Sequence, residues 1–305
     1  MNEPIDCLVV GGGPAGLTAA LYLARFRRRF ALVDAGDQRA AWIPSTHNIP
    51  FYAEGIPGPE ILRLQRGHLA KYGVEPVNAT VTALEREGDG FAAELREPSG
   101  AVRRIRAHRV LLAAGGVDVE PALPDLPDAV RRGLVRYCPI CDGYEARGQR
   151  IAVIAHGPRG LSEALYIART YGSEVAVLTL GRRLELDAAQ RDQAASHRIR
   201  VLEEPVAALT VEDGRIAAIH TGGGERHAFD TLYSALGLRY RTALAEMLGA
   251  RRDEAGALLV DDGGETSVPG LHAAGDIVHG VDQIVVGMGH AAVAATRIHK
   301  RLIGC

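Results

Sequence analysis

The apolar positions of the chain fall into short buried-strand runs that enter glycine turns and leave as helices. Ile5-Asp6-Cys7-Leu8-Val9-Val10 leads into Gly11-Gly12-Gly13-Pro14-Ala15-Gly16, and a helical pattern follows through Leu17-Thr18-Ala19-Ala20-Leu21-Tyr22-Leu23-Ala24. The same order recurs at Arg150-Ile151-Ala152-Val153-Ile154, then Ala155-His156-Gly157-Pro158-Arg159-Gly160, then a helix from Leu161 to Tyr171. Each helix is followed by another buried strand, Phe30-Ala31-Leu32-Val33 and Glu174-Val175-Ala176-Val177-Leu178. Two strand–turn–helix–strand units predict an α/β protein with two Rossmann-like (three-layer ββα) dinucleotide-binding domains.

The apolar run from His108 to Gly116 precedes the second unit, and Thr231-Leu232-Tyr233-Ser234-Ala235-Leu236-Gly237 closes it. These read as the strands by which the chain leaves the first domain and returns. The second domain, residues 117–239, is then inserted into a first domain formed by 1–116 and 240–305. Pro121 to Pro127 reads as the outgoing linker.

Composition narrows the function. A formal net charge of -2 over 305 residues offers no basic field for nucleic acid or anionic lipid. No segment reads as a membrane span or secretory signal, which sets cytoplasm as the expected location. Stable disulfides are rare there, so Cys138-Pro139-Ile140-Cys141 reads as catalytic or metal-binding. The 36 glycines imply several tight turns against a ligand.

In the first glycine turn, Gly11 permits the bend, Gly13 lets backbone approach a pyrophosphate, and Gly16 lets helix pack on strand, with Pro14 and Ala15 between. Asp34 ends the next strand, where a carboxylate accepts hydrogen bonds from an adenosine ribose. Near the other end, Leu271-His272-Ala273-Ala274-Gly275-Asp276 resembles the second FAD motif of the pyridine-nucleotide-disulfide oxidoreductases, in which the Asp binds the ribityl chain. His272 replaces the aromatic usual in that motif. The plainer reading of Asp276 is a loop acid capping the following helix.

Cys138 and Cys141 admit three readings. Structural zinc needs a second ligand pair, but the other cysteines are Cys7, inside a strand, and Cys305, the last residue, and the 11 histidines are scattered. An inert buried pair is the second. In the third, the two thiols close a small redox-active disulfide, each the resolving nucleophile of the other. Asp142 follows directly, either as proton donor and acceptor for the thiolate and flavin or as a turn cap.

With Cys-x-x-Cys-Asp-Gly at the start of the inserted domain, nearly the whole chain resembles the low-molecular-weight thioredoxin reductases. The closing Gly275-Asp276 is followed, as in that family, by Gln283-Ile284 and the small-residue helix Gly287-Met288-Gly289-His290-Ala291-Ala292. The resemblance implies FAD, with His47, Asn48, Val81, Ala114, Gly115, Gln283 and Ile284 joining the glycine turn, Asp34 and Asp276 around it. It implies Cys141 toward the flavin and Cys138 as the interchange thiol. It also implies a homodimer, domain rotation, and a thioredoxin-like protein or small disulfide or dithiol as partner.

The chain departs from the family in two places. The second glycine turn keeps Gly157 and Gly160 but has Ala155 for the first glycine, and Pro158 removes a backbone donor. A methyl group there is expected to crowd a pyrophosphate. Thr179-Leu180-Gly181-Arg182-Arg183 stands where NADPH-dependent members carry a His-Arg-Arg cluster, so Arg182 and Arg183 read either as ligands of NADPH or NADH or as solvated charges. The loop Ser45-Thr46-His47-Asn48-Ile49-Pro50 and Gly143-Tyr144-Glu145 resemble the dithiol oxidases related to thioredoxin reductases, which tend to have His at the position of Asp142. Three functions follow: a reductase fed by NAD(P)H, a dithiol oxidase or reductase with another donor, or a flavin-binding redox sensor without turnover. Cys305 reads as an inert end residue or a resolving thiol.

Overall fold

The computed structural model describes residues 3–123, 134–213 and 215–305. From the N-terminus the chain forms β1 (Ile5–Val10), α1 (Pro14–Arg25), β2 (Phe30–Asp34), α2 (Gly58–Ala70), β3 (Val77–Asn78), β4 (Thr80–Glu87), β5 (Gly90–Arg96), β6 (Val102–Leu112) and β7 (Gly116–Asp118). It continues through β8 (Val135–Arg136), α3 (Pro139–Asp142), β9 (Arg150–Ile154), α4 (Pro158–Tyr171), β10 (Glu174–Leu178), α5 (Ala188–Ser196) and β11 (Arg200–Leu202). β12 (Val206–Glu212), β13 (Arg215–Thr221), β14 (Arg226–His227), β15 (Thr231–Ser234), β16 (Leu238–Tyr240), α6 (Ala243–Glu246), β17 (Leu271–Ala273) and α7 (Ile284–Leu302) complete it. Much of the Pro121–Pro127 linker lies outside the described residues.

Two compact units result: Met1–Ala41, Gly58–Val117 and Arg239–Cys305 form one, and Trp42–Pro57 with Asp118–Leu238 the other. In the first, β3, β2, β1 and β6 run parallel in that order, β17 adds to β6 in parallel, and β5 and β4 continue the sheet antiparallel. Residues 7–10 are buried, as the uninterrupted apolar run requires of a strand covered on both faces. α1 packs on both α2 and α7. α7 carries a buried stripe, Gly287, Ala291, Ala294, Ala295 and Ile298, whose small side chains permit close approach.

The second unit has the parallel order β11-β10-β9-β15-β8 and a three-stranded antiparallel sheet, β12-β13-β14. Ile216 and Ile219 of that sheet share one core with Ala152, Ile154, Leu178 and Leu232 of the parallel sheet. The opposite face of the parallel sheet packs on Leu161, Ala164, Leu165 and Ile167 of α4. These are two Rossmann-type folds in one α/β chain.

Trp42–Pro57, within the stretch read as the first domain, packs with the second unit. It folds back on itself through the Thr46–Ile56 bridge. It then holds the dithiol turn by its backbone: the His47 N–H donates to the Cys141 carbonyl (3.2 Å), and Asn48 Nδ2 donates to the Ile140 carbonyl (3.4 Å).

Candidate active site

In the first unit the glycine turn is closed on one side and open on the other. A Cβ at Gly11 would overlap the Ala113 carbonyl, one at Gly12 the Asp34 carboxylate, and one at Gly16 the Gly11 carbonyl. Gly11 also has φ +113°, a conformation that disfavours any side chain. Gly13, by contrast, has nothing within 4 Å of where its Cβ would lie. Gly13 caps α1 with Pro14 at its first turn, so the unpaired N–H groups of the helix start face the open side. This geometry fits the diphosphate of a dinucleotide.

Asp34 is 8% exposed at the end of β2. Its carboxylate accepts from Gln38 Nε2 (2.6 Å), the Gly36 N–H (3.0 Å) and Arg66 Nη2 (3.1 Å). Ala114 and Gly115 leave β6, and their carbonyls accept from the Arg241 side chain and backbone (3.5 and 3.0 Å). Gly275, at φ +83°, follows β17 and abuts both Ala15 and Gly287. The starts of α1 and α7 therefore converge beside Asp276, and Gln283 caps α7 with Ile284 as its first residue. Asp276 pairs with Arg39 Nη1 at 3.1 Å, each about a quarter exposed. Val81 is buried in the sheet core, while His47 and Asn48 lie against the dithiol turn in the second unit.

In the second unit Cys138 and Cys141 form a disulfide across α3, with Cα atoms 5.3 Å apart. Pro139 starts the turn, and Cys138 Sγ accepts from the Cys141 N–H (3.1 Å). The Pro139 carbonyl accepts from the Gly143 N–H and from the Tyr171 hydroxyl, both at 2.9 Å. A Cβ at Gly143 would strike the Tyr171 ring, so glycine is required there.

Asp142 is held at both carboxylate oxygens. Tyr233 donates its hydroxyl to Oδ1 (2.7 Å), and Arg136 Nη1 lies 3.3 Å from Oδ2. Burial raises the carboxyl's proton affinity, Glu145 adds to that, and Arg136, the Tyr233 hydroxyl and His47 oppose it; the net direction is upward. His47 Nδ1 stands 3.7 Å from Glu145 Oε2, an ion pair only when the imidazole is protonated.

The second glycine turn is packed on one side and open on the other. The Ala155 methyl is fully buried and faces Gly160, where an added Cβ would overlap it. It fills space beneath α4. Gly157, at φ +87°, caps α4 and has nothing within 4 Å of its Cβ position. The Ala155 methyl thus packs toward Gly160, while the turn is open at Gly157. Arg182 and Arg183 are exposed, and the Arg182 charge lowers the proton affinity of His156, second to desolvation.

Arg39, Arg66, Arg136 and Tyr233 escaped the sequence reading. Arg39 lies 237 residues from Asp276 and Tyr233 91 from Asp142, so only the fold joins them. Arg136 alone had a local signal, two residues before Cys138.

Two dinucleotide-type folds, one with an open glycine turn at a helix start and the other carrying a disulfide beside a buried carboxyl, define the class of the disulfide oxidoreductases. The family model described as pyridine nucleotide-disulphide oxidoreductase matches residues 5–297, and the chain belongs to that family. The NADH dehydrogenase of Bacillus subtilis (strain 168) is 30% identical over 311 residues, covering 99% of this chain and 59% of that protein. The chain thus spans about three fifths of the length of the first curated relatives it matches. The crystal structure of HlmI has a TM-score of 0.89 at 30% identity, with 100% of this chain and 94% of that one covered. The thioredoxin reductase of Streptococcus pyogenes MGAS5005 has the same TM-score at 26% identity, with both chains covered fully. Among the described residues no helix is long and apolar enough to cross a membrane.

Proposed function

We propose that the protein is an FAD-dependent thiol–disulfide oxidoreductase that moves electrons between flavin, the Cys138–Cys141 pair, and a thioredoxin-like protein or small disulfide. The observation that carries this reading is the Cys138–Cys141 disulfide itself, seated in a nucleotide-type domain with Asp142 directly after it. Bound FAD supplies a two-electron carrier. The turn from Gly11 to Gly16 holds its diphosphate through backbone N–H groups, and Asp34 its adenosine ribose. Asp276, oriented by Arg39, binds the ribityl chain. Cys141 is the flavin-side sulfur and Cys138 the one that exchanges with substrate. Asp142 carries the proton that this exchange requires. The open mouth at Gly157 supports NADPH or NADH as donor.

Anaerobic mixing of the FAD-loaded protein with NADPH, NADH and a dithiol, side by side, tests the proposal. Rapid bleaching by a pyridine nucleotide is expected. Bleaching by the dithiol alone, with oxygen uptake, would assign the oxidase direction instead. No reduction by any of the three would leave a sensor without turnover.

A further inference from the structure

We propose that Tyr233 is a positioning residue which, with Arg136, sets the geometry and proton lability of Asp142 at the dithiol. This rests on the thiol–disulfide reading above and deepens it. β15 and β8 are parallel neighbours, and Tyr233 lies opposite Arg136 in their register. The two side chains therefore leave adjacent points of the sheet and converge on one carboxylate, Tyr233 on Oδ1 and Arg136 on Oδ2. Arg136 also donates to the Asp142 backbone carbonyl at 3.3 Å. Arg136 stands two residues before Cys138, and Asp142 directly follows Cys141, so this grip closes both flanks of the dithiol turn onto the sheet.

The tyrosine is fully buried. A buried hydroxyl needs a partner, but a carbonyl or water would satisfy it equally. A charged acceptor makes the bond about twice as strong and ties it to the carboxyl's protonation state. The groups facing Asp142 are Tyr233 from β15, Arg136 from β8, Glu145 from the following turn and His47 from the Trp42–Pro57 segment. Asp142 also acts on Tyr171 of α4, and both tyrosines are held well above their ordinary range, so each stays a donor. Burial pushes Asp142 toward the protonated form, and the Tyr233 hydroxyl pulls it back.

In the exchange step the Cys138 thiolate attacks a substrate disulfide. A bond forms from Cys138 Sγ to one substrate sulfur, the substrate S–S bond breaks, and the departing thiolate takes the proton of the Asp142 carboxyl. The Cys141 thiolate then attacks Cys138 Sγ, restoring the Cys138–Cys141 bond and releasing the second substrate thiolate to be protonated by solvent. The dithiol loses two electrons and the substrate disulfide gains them. Asp142 must be protonated to serve this step, and a carboxyl without the Tyr233 bond keeps its proton to a higher pH.

The experiment uses FAD-loaded protein reduced with dithiothreitol and desalted anaerobically. It is mixed with the aromatic disulfide dithiobis-nitrobenzoate from about pH 4 to about pH 9. Tyr233→Phe keeps the ring and removes the hydroxyl. It is expected to move the alkaline limb of the exchange rate, where Asp142 loses its proton, upward by about one pH unit, and Arg136→Met to move it the same way. A purely structural role would lower the melting temperature or scale the rate equally at every pH, leaving the limb in place. Superimposed limbs in wild type and both variants overturn the proposal, and if Tyr233→Phe does not fold, the Arg136→Met limb alone decides. Failure of the underlying reading looks different: wild type and Cys138→Ser would then react with the probe at the same rate.

Discussion

His272 sits in β17 directly before Ala273-Ala274-Gly275-Asp276, fully buried, where the motif it resembles carries an aromatic. Neither ring nitrogen makes a well-formed hydrogen bond, the Gly270 backbone giving only weak help. Desolvation lowers its proton affinity to about 4 from the ordinary 6.5, with Arg109 adding to that and Glu265 and Asp261 opposing it. A histidine buried neutral leaves stability intact above the unfolded-state value. That stability is lost as pH falls through 6.5 toward about 4, because only the unfolded chain binds the proton there. The loss is on the order of 3 kcal/mol over that window. His272→Phe should be more stable near neutral pH and lack this contribution to acid sensitivity. Melting temperatures of both proteins from about pH 7 to about pH 4.5 check it; parallel curves would refute the assignment. The substitution was legible in the sequence as a departure from a motif. Its consequence was not, because the lack of hydrogen-bond partners depends on β17 lying against the long β6 strand.

At the scale of elements, the second glycine turn separates what a motif says from what the backbone does. Sequence reading treated Ala155 as the damaged member of a phosphate cradle. In the fold its methyl is a packing group wedged under α4 against Gly160, and Gly157 supplies the left-handed turn. Restoring the motif with Ala155→Gly should therefore not tighten NADPH or NADH binding. It should destabilise by about 1–2 kcal/mol, through a lost buried methyl and a freer unfolded backbone. Nucleotide titration and thermal melting of the variant test both halves, and a tenfold gain in affinity would show that the methyl does crowd the ligand. The parallel strands were readable because continuous apolar runs have few other places to go. β1, β2, β9 and β10 begin at the expected residues. The β4–β5 hairpin and the β12–β14 sheet were not singled out. Their strands mix exposed charge with burial, as at Thr80–Glu87, and lack a glycine turn entering a helix. The Trp42–Pro57 segment was legible only as a loop, since its partners are the carbonyls of Ile140 and Cys141 and a backbone contact leaves no trace in side-chain pattern.

At the scale of the whole molecule, the Gly11–Gly16 turn proposed to hold the diphosphate and the dithiol belong to different compact units, so cofactor retention and thiol chemistry should be separable by mutation. Gly13 is the position for the first half of that test. Its φ of -77° suits an L-residue, and its Cβ would meet no protein atom within 4 Å. Gly13→Ala should therefore fold without strain while placing a methyl where the diphosphate must approach the helix start. FAD affinity of the apo-protein should drop at least tenfold, about 1.4 kcal/mol, with little change in its melting temperature. The Cys138–Cys141 pair of that variant should still be oxidised and reduced by small thiol reagents. Cys141→Ser is the complement. It removes one sulfur from α3 and nothing from the Gly11–Gly16 turn, so it should purify with the same FAD content as wild type and lose thiol–disulfide turnover. FAD loss in Cys141→Ser, or undiminished FAD binding in Gly13→Ala, would break the division of labour. The first result would tie flavin binding to the dithiol unit. The second would place the diphosphate somewhere other than the Gly11–Gly16 turn, and with it the roles proposed for Asp34 and Asp276.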